Sequence, residues 1–502
     1  MVRRTTVLTG ELAAPYPRVG VFVVTWNKKA DVLALLDSLQ EHPYPNWRVT
    51  VVDNDSSDGT AAAIGERHPW VRCIRMPVNL GGTGGFNAGL CQALRDADYD
   101  YVWLLDNDVV VEPGALEVLV ETLERRGDAA AAGSHMIQRD FADVTNEIGG
   151  DVDLTRGRLL LNRHRTASRA HRDEVYEVDY LAAASLVVRF DVLRQVGIWD
   201  DFFIHYDDVD WCLRIKKAGY KVLACAASRI RHVSARSKPV TWVLYYDLRN
   251  MLYLQHKHNR PGFGHYAFFT ALLHAYAMRD ELSGKTYYQR LAREALRDFF
   301  SGRIGKRDDL PPLSLSPARD IIEQMEQQRP RRVWILEPIR VPDLLEGLSA
   351  DARRGLQVTG ICGEHSILPE HGPRLDRRLR LPANRLALAA RVAVMWLTSR
   401  RADYLVLDLD APCGLLGLCA KRIVLLVGDS ALIVPGGWRR LISALAVPLR
   451  WLPVFWRCCV FGVTRPAPNA GVYESPAAFE TKVAAIRGAQ DRSSPGGRVQ
   501  AS

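Results

Sequence analysis

The chain has 502 residues, of which 48% are hydrophobic and 25% are charged, and its formal net charge at pH 7 is +9. This length and composition predict a folded protein of two or three domains and exclude a disordered or collagen-like chain. The basic balance suits an anionic partner, such as anionic lipid or a diphosphate substrate. Because no basic stripe interleaved with aromatic residues accompanies it, we expect no nucleic-acid partner.

The cysteine content and the N-terminal sequence indicate the cellular compartment of the protein. Nine cysteines occur without any Cys-x-x-Cys pair, which is typical of reduced thiols rather than of zinc sites or a disulfide framework. The first twenty residues are basic and lack the apolar core of a secretory signal. We therefore expect a cytoplasmic protein.

The first 100 residues alternate strand-like and helix-like segments. "VGVFVVTWN" (19–27) and "WRVTVVDNDSSDGT" (47–60) are apolar runs that end in polar residues, and "KADVLALLDSLQEH" (29–42) between them has helical periodicity. Val-rich strands separated by helices are typical of a largely parallel sheet that is buried on both faces. We therefore predict an α/β fold whose ligands bind beyond the carboxyl ends of the strands.

The glycine-rich segment "NLGGTGGFNAGL" (79–90) matches neither common phosphate-binding motif. From Gly82 and Gly84, the third position of a dinucleotide fingerprint is Asn87 rather than glycine, and no Lys-Ser/Thr pair follows for a Walker loop. A nicotinamide oxidoreductase is therefore disfavoured. The glycines predict a close approach of the backbone to another group, with Asn87 placed to cap the following helix; a tight turn is the alternative.

"VWLLDNDVVVEPGAL" (102–116) runs from a buried strand directly into Asp106 and Asp108. Buried carboxylates are costly unless they are paired or metal-bound. Residues i and i+2 of an extended segment point the same way, so both carboxylates can face one cation. Hard oxygen ligands suit Mg²⁺ or Mn²⁺, and a plain acidic turn is the alternative interpretation.

Further along the chain, "VYEVDYLAAASLVVRFDVLRQVG" (175–197) predicts a strand and a short helix. "YDDVDWCLRIKKAGYKV" (206–222) predicts a helix with acidic residues in its first turn and a stop at Gly219. We expect helices over 240–300 and a linker over 301–332. A second, smaller α/β domain is predicted from strand-like runs at 332–338, 356–363, 402–410 and 421–429.

The C-terminal region contains one long apolar stretch, residues 438–463 (WRRLISALAVPLRWLPVFWRCCVFGV). Its internal Pro and Arg residues argue against a membrane span. Its Trp and Arg residues, with Leu, Ile and Val between them, predict a segment that lies in an anionic membrane interface. A core helix pair of the second domain is the alternative. The tail from about residue 485 is predicted to be disordered.

Five segments occur together in the order and approximate spacing of the family-two inverting glycosyltransferases: "VVTWN", "VVDNDSSDGT", "NLGGTGGFNAG", "VWLLDNDV" and "FFIHYDDVDWCLRIKKAGY". The set resembles most the bacterial rhamnosyl- and galactofuranosyltransferase branch. The resemblance implies a GT-A domain, which binds nucleotide-diphospho sugars, over residues 1–260. A helical extension and linker (261–330), a C-terminal α/β domain (331–484) and a disordered tail (485–502) complete the predicted organisation.

The resemblance also implies residue roles and a reaction. Asp208 matches the general base, Asp106, Asp108 and His232 match ligands of Mn²⁺ or Mg²⁺, and Asp207 and Trp211 are expected on the acceptor side. The implied donor-binding residues are Thr25, Asn27, Asp53, Asp55, Gly84, Gly85, Asn87 and Asp106. The implied reaction moves a hexose from a nucleotide diphosphate to a glycan acceptor, expected to be polyprenyl-linked, in cell-envelope polysaccharide biosynthesis. We expect the enzyme to lie peripherally at the inner face of the plasma membrane.

Alternatives remain at several of these positions. The galactofuranosyl branch carries a tryptophan-rich acceptor loop, but the corresponding stretch here is "DYLAAASLVV" (179–188), so rhamnose or another hexose is an equal expectation. Acids in a first helical turn also stabilise the macrodipole without catalysis, His232 can be a surface histidine, and Asp53 can cap its loop. For the whole chain, the second interpretation is a non-catalytic scaffold subunit that binds nucleotide sugars in a polysaccharide assembly complex.

Overall fold

An eleven-stranded mixed sheet forms the centre of the N-terminal half in the computed structural model. The structure describes residues 4–6, 16–41, 44–139, 144–164, 166–232, 242–259, 262–310, 313–336, 353–363, 375–381, 394–395, 401–408, 414–427, 430–453, 456 and 475–493. The strands of this half are β1 Arg4–Thr6, β2 Val19–Thr25, β3 Trp47–Asp53, β4 Arg72–Arg75, β5 Tyr101–Asp106, β6 Val109–Val111, β7 Ala129–Gln138, β8 Thr145–Glu147, β9 Gly150–Asp153, β10 Arg158–Leu161, β11 Glu174–Glu177, β12 Ser185–Arg189 and β13 Lys221–His232.

The sheet has the order β1-β11-β13-β7-β12-β5-β2-β3-β4, with β6 on β13 and β8 on β7, while β9 and β10 form a separate pair. Strands β4, β3, β2 and β5 are parallel neighbours. Strand β12 is antiparallel to both β5 and β7. The α/β prediction is confirmed, but the expectation of a largely parallel sheet is wrong for the half beyond β5, where β12 inserts against the direction of its neighbours.

Helices cover both faces of the parallel half. Phe22 of β2 packs in one core cluster with Leu90, whereas Val21 and Val23 pack in the opposite cluster with Leu35. This two-sided burial explains why β2 reads as a continuous apolar run. The helices of this half are α1 Lys29–Gln40, α2 Thr60–Arg67, α3 Gly81–Asp96, α4 Ala115–Arg125, α5 Phe190–Val196 and α6 Asp207–Lys217.

Three long helices follow the first sheet, as predicted for 240–300. They bury aromatic side chains, including Tyr253, Tyr266 and Phe299, in a common core cluster. Their bounds are α7 Val243–Asn259, α8 Phe263–Leu282 and α9 Thr286–Ser301, and α10 Ala318–Gln327 lies within the predicted linker.

A second sheet of seven strands forms the smaller α/β unit. Its strands are β14 Ser316–Pro317, β15 Arg332–Leu336, β16 Gln357–Gly363, β17 Arg377–Leu381, β18 Ala402–Asp408, β19 Ala420–Val427 and β20 Ser430–Pro435. The order β14-β20-β19-β18-β15-β16-β17 places the four predicted strands together at its centre. Strand β17 was not predicted, because it lies at the sheet edge and only Leu379 and Leu381 interrupt its arginines.

The C-terminal helices are α11 Trp438–Leu445 and α12 Pro476–Ser493. Helix α12 returns to the N-terminal half, where Phe479 joins the core cluster and Glu480 forms an ion pair with Arg95. The Gln490 amide also donates to the Pro77 carbonyl at 2.8 Å. The predicted disordered tail is therefore wrong for residues 485–493, and the boundary at 484 divides a single helix; residues 494–502 lie outside the described residues. Among the helices that the structure describes, none combines the length and apolarity needed to cross a bilayer.

Candidate active site

Three potential metal ligands meet where β5, β6 and β13 come together. Asp106 ends β5, Asp108 follows in the turn before β6, and antiparallel pairing places His232 of β13 opposite Val109 of β6. Nε2 of His232 lies 3.0 Å from an Asp108 carboxylate oxygen and 4.0 Å from one of Asp106. One ligand atom from each residue lies within 4.8 Å of the others. The three predicted metal ligands thus form one cluster.

The donor set of this cluster fits a divalent cation. Two carboxylates and one imidazole combine hard oxygen with nitrogen ligands, a mixture that transition ions such as Mn²⁺ accept. Asp108 is nearly buried, with 4% of its side chain exposed, whereas Asp106 is 43% exposed. The cluster therefore opens on the Asp106 side, where substrate oxygens can complete the coordination.

The ends of β2 and β3 form a second polar group on the same edge. Thr25 and Asp53 pair in parallel register and are almost fully buried. One carboxylate oxygen of Asp53 accepts a hydrogen bond from the Ser56 N–H at 2.9 Å. The other oxygen, Oδ2, is buried and has no hydrogen-bond partner within the part of the chain that the structure describes. The loop-capping hydrogen bond therefore accounts for only one of the two carboxylate oxygens of Asp53.

The loops after β2 and β3 are tied together by Asn27. Its side-chain oxygen accepts a hydrogen bond from the Ser57 N–H at 2.7 Å, and its backbone N–H donates to the Ser56 hydroxyl at 2.9 Å. Both Asn27 and Asp55 adopt positive φ angles, of 49° and 69°. These contacts hold the two loops together beside Asp53, and donor binding by Asn27 and Asp55 stays a prediction.

The glycine-rich segment is the start of helix α3 rather than a loop before a helix. Gly81 has φ +74°, and a Cβ there would lie 2.0 Å from the Phe203 carbonyl oxygen. The Thr83 N–H donates to that oxygen at 3.2 Å, and the Thr83 hydroxyl donates to Asp207 at 2.6 Å. The close backbone approach that the glycines predict is therefore an approach to the loop that carries the acidic motif.

Gly84, Gly85 and Asn87 lie inside α3, so the prediction that Asn87 caps a following helix is wrong. A Cβ at Gly84 or Gly85 would lie 2.3 Å from Leu80 or Val24. The Asn87 side chain is fully buried and exchanges two 2.9 Å hydrogen bonds with the backbone of Trp199. Packing accounts for these contacts, and donor binding by the three residues stays a prediction.

Asp208 lies at the N-terminus of α6 and contacts the segment before β12. Its carboxylate accepts hydrogen bonds from the Ala183 N–H at 3.1 Å and the Val209 N–H at 2.7 Å. Ala183 lies two residues before Ser185, which pairs with Leu105 next to Asp106. Burial and the charge of Asp207 raise the pKa of Asp208 to about 7. A carboxyl whose pKa is raised to about 7 therefore lies close to the strand end that carries the metal cluster.

The two residues predicted on the acceptor side, Asp207 and Trp211, differ in their contacts. Asp207 is buried, accepts the Thr83 hydrogen bond, and has a pKa raised by burial; its role towards an acceptor stays a prediction. Trp211 is fully buried, donates to the Gly197 carbonyl at 2.8 Å and packs against Trp199. The acceptor-side prediction for Trp211 is wrong, because one turn into α6 its position faces the core.

Glu147 is a buried carboxylate that the sequence reasoning missed. It ends β8, is 7% exposed, and has its pKa raised to about 8 by burial and by the charge of Asp208. Burial and the charges of Glu147 and Asp208 also raise the pKa of Tyr180. Glu147 follows no motif in "TNEIGG", and its burial depends on pairing of β8 with Met136 of β7, which no local pattern predicts.

A second missed group is the pair of His205 and Asp247, whose Nδ1 and carboxylate oxygen are 2.7 Å apart. His205 lies in the quoted acidic motif, so its sequence position was a usable signal, whereas Asp247 comes from α7 without one. Phe203, His205 and Tyr206 all have positive φ angles. Such strain in non-glycine residues is concentrated at functional sites.

Comparison with known families decides the class of this domain. The family model "Glycosyltransferase like family 2" matches residues 17–250. Residues 17–250 are a glycosyltransferase family 2 domain. Its mixed sheet and flanking helices form a GT-A-like α/β fold.

The chain is similar to several curated glycosyltransferases. It is 28% identical over 298 residues to the N-acetylglucosaminyl-diphospho-decaprenol L-rhamnosyltransferase of Mycobacterium tuberculosis, covering 55% of this chain and 96% of the relative. It is 24% identical over 268 residues to galactofuranosyltransferase GlfT2 of the same species, covering 48% of this chain and 41% of the relative. Among solved structures, it resembles GalNAc-T7 with UDP, GalNAc and Mn²⁺, with a TM-score of 0.40 and 14% identity over 61% of both chains.

Proposed function

We propose that the chain is a metal-dependent inverting glycosyltransferase. It moves rhamnose, galactofuranose or another hexose from a nucleotide-diphosphate donor to a glycan acceptor that is lipid-linked. The observation that carries this proposal is the juxtaposition, on one sheet edge, of a metal-ligand cluster with a carboxyl whose pKa is about 7. Inverting transfer needs these two functions, a counter-charge for the leaving group and a base for the acceptor.

The donor half of the proposal rests on the strand ends. The buried, unpartnered Oδ2 of Asp53 can accept a hydrogen bond from an N–H of the nucleotide base. Thr25 lies beside it and is held by the Asn107 amide at 3.1 Å. Asp106 and Asp108 lie on the next strand, at a position suited to the diphosphate.

The metal ligands in this proposal are Asp106, Asp108 and His232, and the ion is Mn²⁺ or Mg²⁺. When bound, the cation supplies positive charge that stabilises the departing nucleoside diphosphate. The mixed oxygen and nitrogen donor set favours Mn²⁺, because Mg²⁺ prefers oxygen ligands.

Asp208 is the general base in this mechanism. Its carboxylate removes the proton of the acceptor hydroxyl as that oxygen bonds to the anomeric carbon, while the bond from this carbon to the diphosphate oxygen breaks. The proton ends on Asp208, and the electron pair leaves with the nucleoside diphosphate. A base pKa near the working pH is the value at which such proton transfer is most effective.

The acceptor and the location follow from chemistry and from the rhamnosyltransferase relative. That relative's name specifies a diphospho-decaprenol acceptor, and this chain covers 96% of its length. We extend a polyprenyl-linked acceptor to this chain by analogy. Nucleotide sugars and such lipids meet at the inner face of the plasma membrane, which is where we place a peripheral enzyme of polysaccharide biosynthesis.

A transfer assay with the full chain tests this function. The chain is incubated with a panel of nucleotide-diphosphate hexoses, polyprenyl-diphosphate glycans and Mn²⁺, and mass spectrometry follows both the glycan and the released nucleotide. We expect one donor to give stoichiometric gain of a hexosyl group and nucleoside diphosphate, with no reaction in excess EDTA. Full activity in EDTA would refute the metal-dependent mechanism.

Two ligand variants sharpen this assay. Asp108→Ala is expected to weaken donor binding more than His232→Ala, because a carboxylate brings charge to the cation and imidazole does not. Thermal shift with each donor and Mn²⁺ reads binding separately from turnover. A donor that raises the melting temperature but is never turned over with any acceptor would instead support the non-catalytic scaffold.

A further inference from the structure

We propose that an exposed face formed by residues 441–452 and Trp456 binds the surface of an anionic lipid bilayer. We call this the apolar face, and it consists of Leu441, Ile442, Leu445, Leu449, Leu452 and Trp456. Leu441 and Leu445 lie one turn apart on α11, and Leu449 and Leu452 lie about one turn apart in the helical residues 447–453, so each pair shares one side of its helix. Leu449, Trp456 and Leu445 are 75%, 69% and 63% exposed.

The opposite face of the same segment is firmly held in the protein. Ala444, Val447 and Trp451 are buried, and the Trp451 ring contacts His274 of α8 with centroids 5.0 Å apart. Arg440 is also buried, 3.4 Å from the Glu281 carboxylate. A core helix pair therefore accounts for the buried face only, and the apolar face needs a separate explanation.

The size of the exposed group separates it from ordinary surface leucines. Single exposed apolar side chains are common and need no explanation, whereas clustered ones mark interaction sites. Among the described residues, six large exposed apolar side chains fall within 441–456. Phe268, 61% exposed, lies on α8, the helix against which the segment packs.

The charge pattern favours a bilayer over a protein partner. Residues 430–473 contain no Asp or Glu and include Arg439 and Arg450, both exposed, of which Arg450 lies 3.7 Å from the Glu281 carboxylate. An apolar face that carries a tryptophan and is flanked by exposed arginine is typical of helices that lie in an anionic membrane interface. A second copy of this chain would bring two cationic rims together, which is unfavourable. The inference rests on the peripheral location in the proposed function and deepens it by naming the surface that binds; because vesicle binding needs neither donor nor acceptor, its failure is distinguishable from failure of the transfer reaction.

Vesicle co-sedimentation of the full chain tests the proposal. Wild type is compared with Leu445→Gln/Leu449→Gln and with the control Leu160→Gln/Ile304→Gln, whose two residues are 51% and 48% exposed elsewhere. On phosphatidylglycerol vesicles we expect wild type and control to pellet alike and the face variant to bind at least about tenfold more weakly. Phosphatidylcholine vesicles or high salt should weaken wild-type binding.

Melting temperatures of the three proteins confirm that each is folded, since all four substitutions are at exposed positions. Absence of wild-type binding to anionic vesicles would overturn the proposal, as would equal binding of wild type and the face variant. Sedimentation equilibrium without vesicles measures whether the face instead binds a second copy of the chain. A wild-type dimer that the face variant abolishes, together with no vesicle binding, would assign the face to a second copy of the chain and overturn the lipid proposal.

Discussion

Asp208 and Asp210 lie two residues apart on α6 and have opposite surroundings. Asp210 is fully buried among three basic side chains: Arg214 at 2.9 Å, Lys257 at 2.8 Å and His258 at 2.8 Å. Burial alone would raise its pKa, but the charges of these partners lower it well below the usual range. Asp210 is therefore ionised at every physiological pH.

Among the described residues, no basic side chain forms an ion pair with Asp208, and the charge of His205 lowers its pKa by less than burial and Asp207 raise it. Its carboxylate accepts hydrogen bonds from the backbone N–H groups of Ala183 and Val209, and burial together with the like charge of Asp207 raises its pKa to about 7. The difference in surroundings shows that two carboxylates of one acidic motif can have different roles. Asp210 fastens α6 to α7 through Lys257 and His258, and this attachment holds Asp208 at the sheet edge, where it can exchange a proton.

The largest expected effect is the loss of turnover in Asp208→Asn. Removing a general base costs about 10²- to 10⁴-fold in rate, whereas the isosteric amide keeps the fold and the donor site. Acceptor-dependent nucleotide release and the melting temperature are measured together. Turnover within about threefold of wild type in a folded variant would remove Asp208 from the mechanism.

Asp210→Asn is expected to lower the stability of the fold rather than to remove a catalytic group. It removes the buried charge that Arg214 and Lys257 share, although Lys257 keeps its contact with Asp200 at 2.7 Å; breaking such a buried ion pair costs about 3–5 kcal/mol of stability. Denaturant unfolding should show this loss in Asp210→Asn and only a small change in Asp208→Asn. Equal midpoints for the two variants would contradict the contrast between a structural and a chemical carboxylate.

Gly81→Ala tests the support that α3 gives to the acidic loop. At φ +74°, with the Phe203 carbonyl 2.0 Å from the added Cβ, alanine must displace one of the two, at a cost of more than about 1 kcal/mol. We expect lower stability and lower turnover. Gly82→Ala is the matched control, because nothing lies within 4 Å of its Cβ position; an equal effect on melting temperature would argue against the contact.

The effect of Glu147→Gln should appear in the pH dependence of stability. Because the folded pKa of Glu147 is raised to about 8, the native state holds a proton that the unfolded chain has lost above its own pKa. Wild type therefore loses stability relative to Glu147→Gln as pH rises towards 8, by up to about 1.4 kcal/mol for each pH unit, and no further above it. Melting temperatures at pH 5, 6.5, 8 and 9 would reveal this; a constant difference between the two proteins would contradict a buried neutral Glu147.

Local patterns predicted the parts of the site that lie at strand and helix ends. Asp53 and Asp106 end buried strands, and α6 stops before Gly219, where φ is +98°. The clustering of His232 with Asp106 and Asp108 came from the family resemblance, and the antiparallel pairing of β13 with β6 now explains it. Sequence patterns are informative here because strand ends and helix stops depend on neighbouring residues.

Long-range pairing produced the features that could not be predicted. The insertion of β12 between β5 and β7 makes the sheet mixed, and pairing of β8 with β7 buries Glu147. Trp211 resembles a site residue in sequence but faces the core from α6. Residues 485–493 have a loop-like composition, yet Arg487 and Gln490 of α12 donate to the carbonyls of Arg75, at the end of β4, and of Pro77. None of these contacts has a signal within its own segment.

Infrared difference spectroscopy during a pH titration tests the central claim most directly, because it needs no donor or acceptor. The carboxylic acid C=O band is obtained by subtracting the spectrum of Asp208→Asn from that of wild type, and separately by subtracting that of Asp210→Asn. We predict that the Asp208 band disappears with a midpoint near pH 7, whereas no protonated Asp210 band appears at any pH at which the protein is folded. Loss of the Asp208 band in the ordinary range of aspartate, near pH 4, would contradict the assignment of Asp208 as a base matched to neutral pH.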